Sequence, residues 1–291
     1  MTKKKKAIII VFLILLALVL ILTAWAVANN KNLKITKYVL KENGVPKSFS
    51  GYKIAQVSDL HNMEIGDKNE RLIESIKEVS PDIIVLTGDL VDSKRINYQV
   101  AIDFLEKIKG IAPCYYVYGN HESRLDDLEI LTNGLNSAGV KILNDEKIKI
   151  EKDGSFITLV GITDPSFEVD YKSDGEEKSI KNTLDGFDLK REEFTILLSH
   201  RPEYFDLYKK YEIDLVLSGH THGGQFVLPF IGGLYVPNQG FFPEFDYGKF
   251  SESGTKMIIS RGIGRSTFPL RFNNNPELVV VELLHREIKF Q

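Results

Sequence analysis

Five times along this chain a short apolar stretch ends in a polar cluster carrying aspartate, asparagine or histidine. The clusters are Ser58-Asp59-Leu60-His61, Thr87-Gly88-Asp89, Gly119-Asn120-His121-Glu122, Ser199-His200 and Ser218-Gly219-His220-Thr221-His222-Gly223-Gly224. The stretches before them (residues 53–57, 82–86, 114–118, 194–198 and 214–217) have the length and apolar content of buried strands, as do 157–160, 257–259 and 278–283. Between the early strands, Leu72, Ile73, Ile76 and Val79, then Val100, Ala101, Phe104, Leu105 and Ile108, repeat at helical spacing. That alternation predicts an α/β domain, its sheet strands buried between helices. In such domains ligands bind beyond the carboxyl ends of the strands, where all five clusters lie. A lone Gly-Asp is usually a turn and a lone Ser-His a loop end. Five such ends, all bearing metal-ligating side chains, point to one shared centre.

In an extended segment alternate residues point the same way, so Asp59 and His61 can reach one ion. His220 and His222 can do the same, or serve two adjacent ions. The donors are oxygen and imidazole without thiolate. That set suits Mn²⁺, Fe or Zn²⁺ better than Cu(I) or the all-oxygen sites of Mg²⁺ and Ca²⁺, and Mn²⁺ is the first expectation.

Residues 7–28 run without a charge, AIIIVFLILLALVLILTAWAVA. As a helix this run spans about 33 Å at ~1.5 Å per residue, close to the hydrocarbon thickness of a bilayer. Trp25 falls near its far end, where indoles favour the headgroup region. The sequence therefore predicts a single-pass anchor in the cell membrane. Lys3 to Lys6 would stay inside and the body would lie on the extracytoplasmic side, although Lys31, Lys34 and Lys37 reduce the contrast. A cleavable signal ending at Ala26-Val27-Ala28 is the competing reading, but such signals carry shorter apolar cores, about 7–15 residues. The expected organisation is a lysine cluster and anchor over 1–29, a connecting segment over 30–50 with a strand-like stretch at 33–40, and one domain over 51–291.

Lys3 to Lys6 are the only charges before residue 30, so the remainder carries 37 − 4 = 33 basic against 40 acidic residues, a balance of −7. An acidic body is a poor match for a nucleic-acid backbone, and no nucleic-acid partner is expected. The single cysteine, Cys114, excludes an intrachain disulfide and reads as a buried strand residue. Residues 168–185 are charge-rich and read as a surface loop. Residues 226–245 are rich in Phe, Leu, Ile and Pro, and read either as hairpin core or as an apolar rim able to admit a lipid headgroup. His285 has no cluster around it and reads as structural or exposed.

Taken in order, Asp59-x-His61, Gly88-Asp89, Gly119-Asn120-His121, His200 and Gly219-His220-x-His222 reproduce the signature of the calcineurin-like metallophosphoesterases. The resemblance covers about residues 53–284. It extends in particular to bacterial membrane-associated members through Gly223-Gly224-Gln225 and Gly262-Ile263-Gly264-Arg265-Ser266. It implies a four-layer sandwich, two mixed β-sheets flanked by helices. It also implies that Asp59, His61 and His222 hold a first metal, Asn120, His200 and His220 a second, and Asp89 bridges them. His121 would stand beside the scissile group, with Asp92 at the position of a carboxylate that orients it. The activity implied is metal-dependent hydrolysis of a phosphomonoester or phosphodiester, with a lipid-linked phosphate or pyrophosphate within its range. The charges agree: two divalent ions bring +4 against −2 from Asp59 and Asp89, leaving a positive centre for a phosphate.

One departure bounds that implication. In the protein Ser/Thr phosphatases of the family an Arg-Gly follows the position of Asp92, and the arginine grips phosphate. Here Ser93-Lys94 follow, which argues against a phosphoprotein substrate. Arg261, Arg265 and Arg271 are the remaining cation candidates, with Arg265 and Arg271 preferred. The alternative function is a metal-binding scaffold of the same fold with weak catalysis, acting through protein contacts. A serine hydrolase is disfavoured because no G-x-S-x-G elbow is present.

Overall fold

The computed structural model describes residues 2–170, 173, 175–237, 239–265 and 270–287, without the side chains of residues 22, 25, 28 and 29. Ser266, the last residue of the late glycine-rich element, lies outside that set, as does the side chain of Trp25.

Helix α1 (Lys3–Asn29) leads into β1 (Lys34–Glu42) and β2 (Tyr52–Val57), then α2 (Glu70–Val79), β3 (Ile83–Thr87), α3 (Tyr98–Ile108) and β4 (Cys114–Val117). α4 (Leu128–Ser137), β5 (Lys141–Ile142), β6 (Glu146–Lys152), β7 (Ser155–Gly161), α5 (Gly175–Asp185), β8 (Thr195–Leu198), α6 (Phe205–Lys210) and β9 (Leu215–Ser218) follow. Four two-residue strands, β10 (Val227–Leu228), β11 (Gly232–Gly233), β12 (Tyr235–Val236) and β13 (Gly240–Phe241), precede β14 (Gly248–Glu252), β15 (Thr255–Ile259) and β16 (Glu277–His285).

The long strands form two six-stranded mixed sheets, ordered β1-β16-β2-β3-β4-β5 and β14-β15-β9-β8-β7-β6. Period-two alternation glues them. Ile54, Val85, Val117 and Val281 of the first sheet meet Leu159, Ile196, Leu215 and Leu217 of the second in one buried cluster. The alternate residues face outward under helices. Ala55, Ile84, Leu86 and Val280 lie beneath α2, α3 and α4, while Val160, Leu197, Val216 and Ile259 lie beneath α5 and α6. Strands such as β3 are buried on both faces, which is why they read as unbroken apolar runs.

The strand-like stretch near residue 33 is β1, an edge strand in register with β16 from Lys34↔Glu277 to Glu42↔His285. The segment 168–185 departs from expectation. Its second half is α5, which buries Glu176, Ser179, Ile180 and Leu184. These positions have helical spacing, but two of the four are polar, so the apolar stripe was hidden.

The anchor also departs from expectation. Among the described residues, no helix is long and apolar enough to cross a membrane. Helix α1 does run over Lys3–Asn29. Every large apolar side chain from Ile8 to Ile21 is exposed.

Asp214, at the start of β9 and far from the clusters, accepts the Thr195 N–H at 2.8 Å. Burial pushes its carboxyl up to about 6 against an ordinary value of 3.8. A raised folded-state pKa means the native state favours the protonated acid, so this stability is present at acid pH and lost as pH rises through about 6. At ~1.4 kcal/mol per unit the loss is about 2–3 kcal/mol. Asp214→Asn keeps an acceptor for Thr195 without the charge. Its urea midpoint should exceed the parent's at pH 7.5 and match it near pH 4; equal midpoints at both would show that Asp214 ionises without cost.

Candidate metal centre

β2, β3, β4, β8 and β9 run out at one end of the sandwich, and each delivers one of the clusters. Asp59, His61, Asp89, Asn120, His200, His220 and His222 are all buried there. Asp59, His61 and His222 form one group of facing donor atoms, Asp89, His200 and His220 a second, and His61, Asp92 and His121 a third. His222 Nε2 lies 3.4 Å from Asp59 Oδ1, and His61 Nε2 lies 3.1 Å from His222 Nε2. A single oxygen, Asp89 Oδ2, stands between the first two groups, 3.5 Å from His61 Nε2 and 3.2 Å from His200 Nε2. Asn120 Oδ1 is 3.2 Å from the same His200 nitrogen.

This donor set fits a cation. Burial pushes His61, His220 and His222 down, so these imidazoles are neutral with lone pairs to give. His61 and His222 face each other nitrogen to nitrogen, and His220 Nε2 is buried without a hydrogen-bond partner among the described residues. His200 Nδ1 lies 2.8 Å from the Thr87 carbonyl, which can only accept. That bond puts the proton on Nδ1 and aims the Nε2 lone pair at Asp89 and Asn120, as in the outer-shell support of metal-ligating histidines. Burial alone would lower the His200 pKa, but the Asp89 carboxylate beside it raises it to about 10, so Nε2 takes a proton where a metal ion would take its lone pair instead.

The backbone is bent to make this possible. Asp59, His61, Asp89, His220 and His222 all have positive φ, from 43° to 70°. Non-glycine residues rarely adopt that conformation, and such strain collects at functional sites. Gly119 lets the Asn120 loop pass the Asp89 loop, since a Cβ there would fall 2.3 Å from Asp89 Oδ1.

His121 is partly buried, and its backbone N–H donates to Asp89 Oδ1 at 2.8 Å. Its ring Nδ1 accepts the Ser93 backbone N–H at 3.0 Å. Asp92, expected to orient this ring, lies 3.7 Å from Nδ1, while its oxygens take the Lys94 N–H at 2.9 Å and Arg95 at 2.7 Å. The direct hold on the imidazole comes from Ser93. Burial lowers the His121 pKa, which leaves a neutral ring whose proton sits on Nε2.

Arg271 is 1% exposed. Its Nη2 lies 3.3 Å from His222 Nδ1 and donates to the Gly264 carbonyl, while Nε and Nη1 have no partner among the described residues. Burial brings its pKa down to about 10, so it is still a cation at neutral pH. Arg265 is half-buried on the same loop. Arg261 instead stacks on Tyr247 at 3.7 Å and lies 3.8 Å from Glu277. His285 is structural, its Nδ1 2.7 Å from the Val45 carbonyl, and Cys114 is buried in β4.

Two supporting residues escaped the sequence reading. Glu122, fully buried, accepts the N–H groups of Asp89 (2.8 Å), Gly119 (2.9 Å), Leu90 (2.8 Å) and Val91 (3.4 Å), so one carboxylate ties the Asp89 loop to the Asn120 loop. Arg201, next to His200, is buried against Asp164 at 2.5 Å and 3.0 Å, with Glu203 at 3.2 Å and Glu176 of α5 at 3.5 Å. Glu122 could have been suspected from its place directly after His121. Nothing near Arg201 marks it as buried.

The description "Calcineurin-like phosphoesterase" matches residues 52–224. Metallophosphoesterase YkuE of Bacillus subtilis is 30% identical over 257 residues, covering 86% of this chain and 85% of that protein. A metallophosphoesterase of Aquifex aeolicus is 30% identical over 272 residues, 91% of this chain and 97% of that one. The zebrafish (Danio rerio) transmembrane protein with metallophosphoesterase domain is 29% identical, covering 86% of this chain and 57% of that protein. The solved structure of TT1561 from Thermus thermophilus superposes with a TM-score of 0.50 at 12% identity, over 74% of this chain and 91% of that one, which shows a shared fold. The strand-end clusters, the donor groups they build and these matches together make the chain a member of the calcineurin-like phosphoesterase family, metal-dependent hydrolases of phosphate esters.

Proposed function

We propose that this chain cleaves phosphomonoesters or phosphodiesters with water activated at a pair of divalent metal ions. Asp59, His61 and His222 would hold the first ion, Asn120, His200 and His220 the second, and Asp89 would reach both. The observation that carries this reading is the position of Asp89 Oδ2 between His61 and His200, at 3.5 Å and 3.2 Å. When bound, the ions supply Lewis acidity toward phosphoryl oxygens and lower the pKa of water to about 7. Manganese is our choice of metal, with iron or zinc sharing the donor preference.

His121 presents Nε2–H to the leaving oxygen, because the Ser93 N–H occupies Nδ1. Asp92 adds a negative field beside the ring. Arg271, buried and cationic, grips a non-bridging phosphate oxygen, and Arg265 adds a second contact from the same loop. We further propose that α1 is buried in a membrane with Lys3 to Lys6 inside and the body outside. The exposure of every large apolar side chain from Ile8 to Ile21 supports this, since water offers no stabilising surroundings for such a helix. A lipid-linked phosphate or pyrophosphate is then within reach as substrate.

The test is metal removal. Protein stripped with a chelator should lose hydrolysis of p-nitrophenyl phosphate and bis-p-nitrophenyl phosphate and regain it with Mn²⁺. Full activity in metal-free protein would overturn the two-metal reading. Tight metal binding without turnover would favour the scaffold alternative.

A further inference from the structure

The strand directions bring the exit of α1 to the same end of the sandwich as the metal centre. β16 runs antiparallel to β2, pairing Val279 with Gln56, so its first residue, Glu277, lies beside the end of β2 that carries Asp59 and His61. β1 runs parallel to β16 and starts at the same level, Lys34 opposite Glu277. Short hydrogen bonds complete the path. The Lys34 N–H donates to the Pro276 carbonyl at 2.8 Å, the Glu277 N–H to Gly262 at 3.1 Å, and the Ile263 N–H to Ser58 at 2.9 Å. Only residues 30–33 separate α1 from β1. Even fully extended they reach about 17 Å at ~3.5 Å per residue. They are also tied down, Lys31 by Arg71 at 3.1 Å and Asn32 by Asn275 at 3.1 Å.

A second feature stands at this end. The β10–β11 and β12–β13 hairpins grow from the loop of His222, rooted by Leu234 on Phe226 and Gly233 on Asp246. Their roots are buried, as Val227 and Val236 are, but Phe230, Ile231, Phe241 and Phe242 are exposed by 108%, 64%, 69% and 62%. Four large apolar side chains standing in water beside a polar centre form a patch that calls for a partner. The exposed Lys31, Lys34 and Arg71 lie near the α1 exit, where they suit the headgroup layer.

We propose that the metal-centre end of the domain lies against the bilayer that holds α1, with Phe230, Ile231, Phe241 and Phe242 seated at the headgroup–acyl boundary. The centre then opens onto the membrane surface. This rests on α1 being lipid-embedded and on the phosphoesterase reading, and each is checked separately below. A helix anchored in lipid and joined by so short a tether holds this end of the sandwich, and not the opposite one, near the surface. The hairpins supply the apolar contact that fixes the tilt.

Trp25 is the only tryptophan in the sequence, which makes the orientation measurable. In a Trp25→Phe background of the full chain, Phe230→Trp and Phe242→Trp place a reporter on each hairpin. Glu151→Trp places one on the opposite end, on the exposed face of β6. In vesicles of brominated phosphatidylcholine, both hairpin reporters should lose emission and shift to the blue, while the Glu151→Trp reporter keeps the emission it has in unbrominated vesicles. Hairpin reporters that stay unquenched, or a far-end reporter quenched equally, would overturn the proposal. The parent's Trp25 reports α1 itself, and an unquenched Trp25 would remove the premise. Manganese-dependent turnover of p-nitrophenyl phosphate by each variant confirms folding and tests the phosphoesterase reading without reference to orientation.

Discussion

Asp89→Ala should strip the protein of metal and reduce phosphoesterase turnover on the order of 10⁴-fold or more, because water without metal has a pKa near 15.7 instead of about 7. The size follows from geometry. Asp89 Oδ2 lies near both donor groups, 3.5 Å from His61 and 3.2 Å from His200, and Oδ1 takes the His121 N–H at 2.8 Å. In the proposed scheme, removing the carboxylate therefore weakens both metal positions and frees the loop that carries Asn120 and His121. Metal per protein, measured by mass spectrometry after gel filtration, should fall together with activity. Asp89→Asn keeps an acceptor for His121 and should fold like the parent, yet hold metal poorly. If Asp89→Ala retained both ions, the bridging role would be lost.

His121→Ala should behave differently. Its ring is not needed to hold metal in this scheme, so metal content should stay near the parent's while kcat falls about 10²–10⁴-fold, the usual worth of a positioned proton donor. The loss should be greatest for alkyl leaving groups and least for nitrophenolate, which scarcely needs a proton. An equal loss for all leaving groups would make His121 a stabiliser of phosphoryl charge, and loss of a metal ion would make it a ligand. Ser93 provides a cross-check. Its backbone N–H reaches Nδ1 at 3.0 Å and its hydroxyl oxygen lies 3.1 Å away, so Ser93→Ala leaves the backbone contact in place and should cost less than His121→Ala.

The strands before the clusters were legible because burial on both faces leaves them uniformly apolar, and the donor residues because each cluster follows such a strand. β6 and β14 were not. They are sheet edges whose burial is broken by exposed Lys and Glu, the pattern of a solvated surface. α5 was missed because Glu176 fills an inward position by pairing with buried Arg201, and a single sequence does not show that pairing. The role of Glu122 is set by four backbone N–H groups brought together from two loops, which leaves no compositional trace. Asp92 lies 3.7 Å from the His121 ring, but its neighbour Arg95, three residues on, holds the carboxylate more closely at 2.7 Å. In residues 226–245 Val227 and Val236 are buried as hairpin core would be, while Phe230 and Phe242 are exposed.

The left-handed backbone at Asp59, His61, Asp89, His220 and His222 carries a consequence for how such a chain can change over generations. Each of these residues costs roughly 1 kcal/mol or more in conformational strain, and together they approach the lower end of a domain's whole stability. Glycine adopts the same conformation freely. A population selected only for heat resistance, with no demand for turnover, would therefore drift toward glycine at these five positions. It would gain thermal tolerance while giving up the side chains that make the centre. Chains of this architecture that persist without catalytic duty should bear that scar.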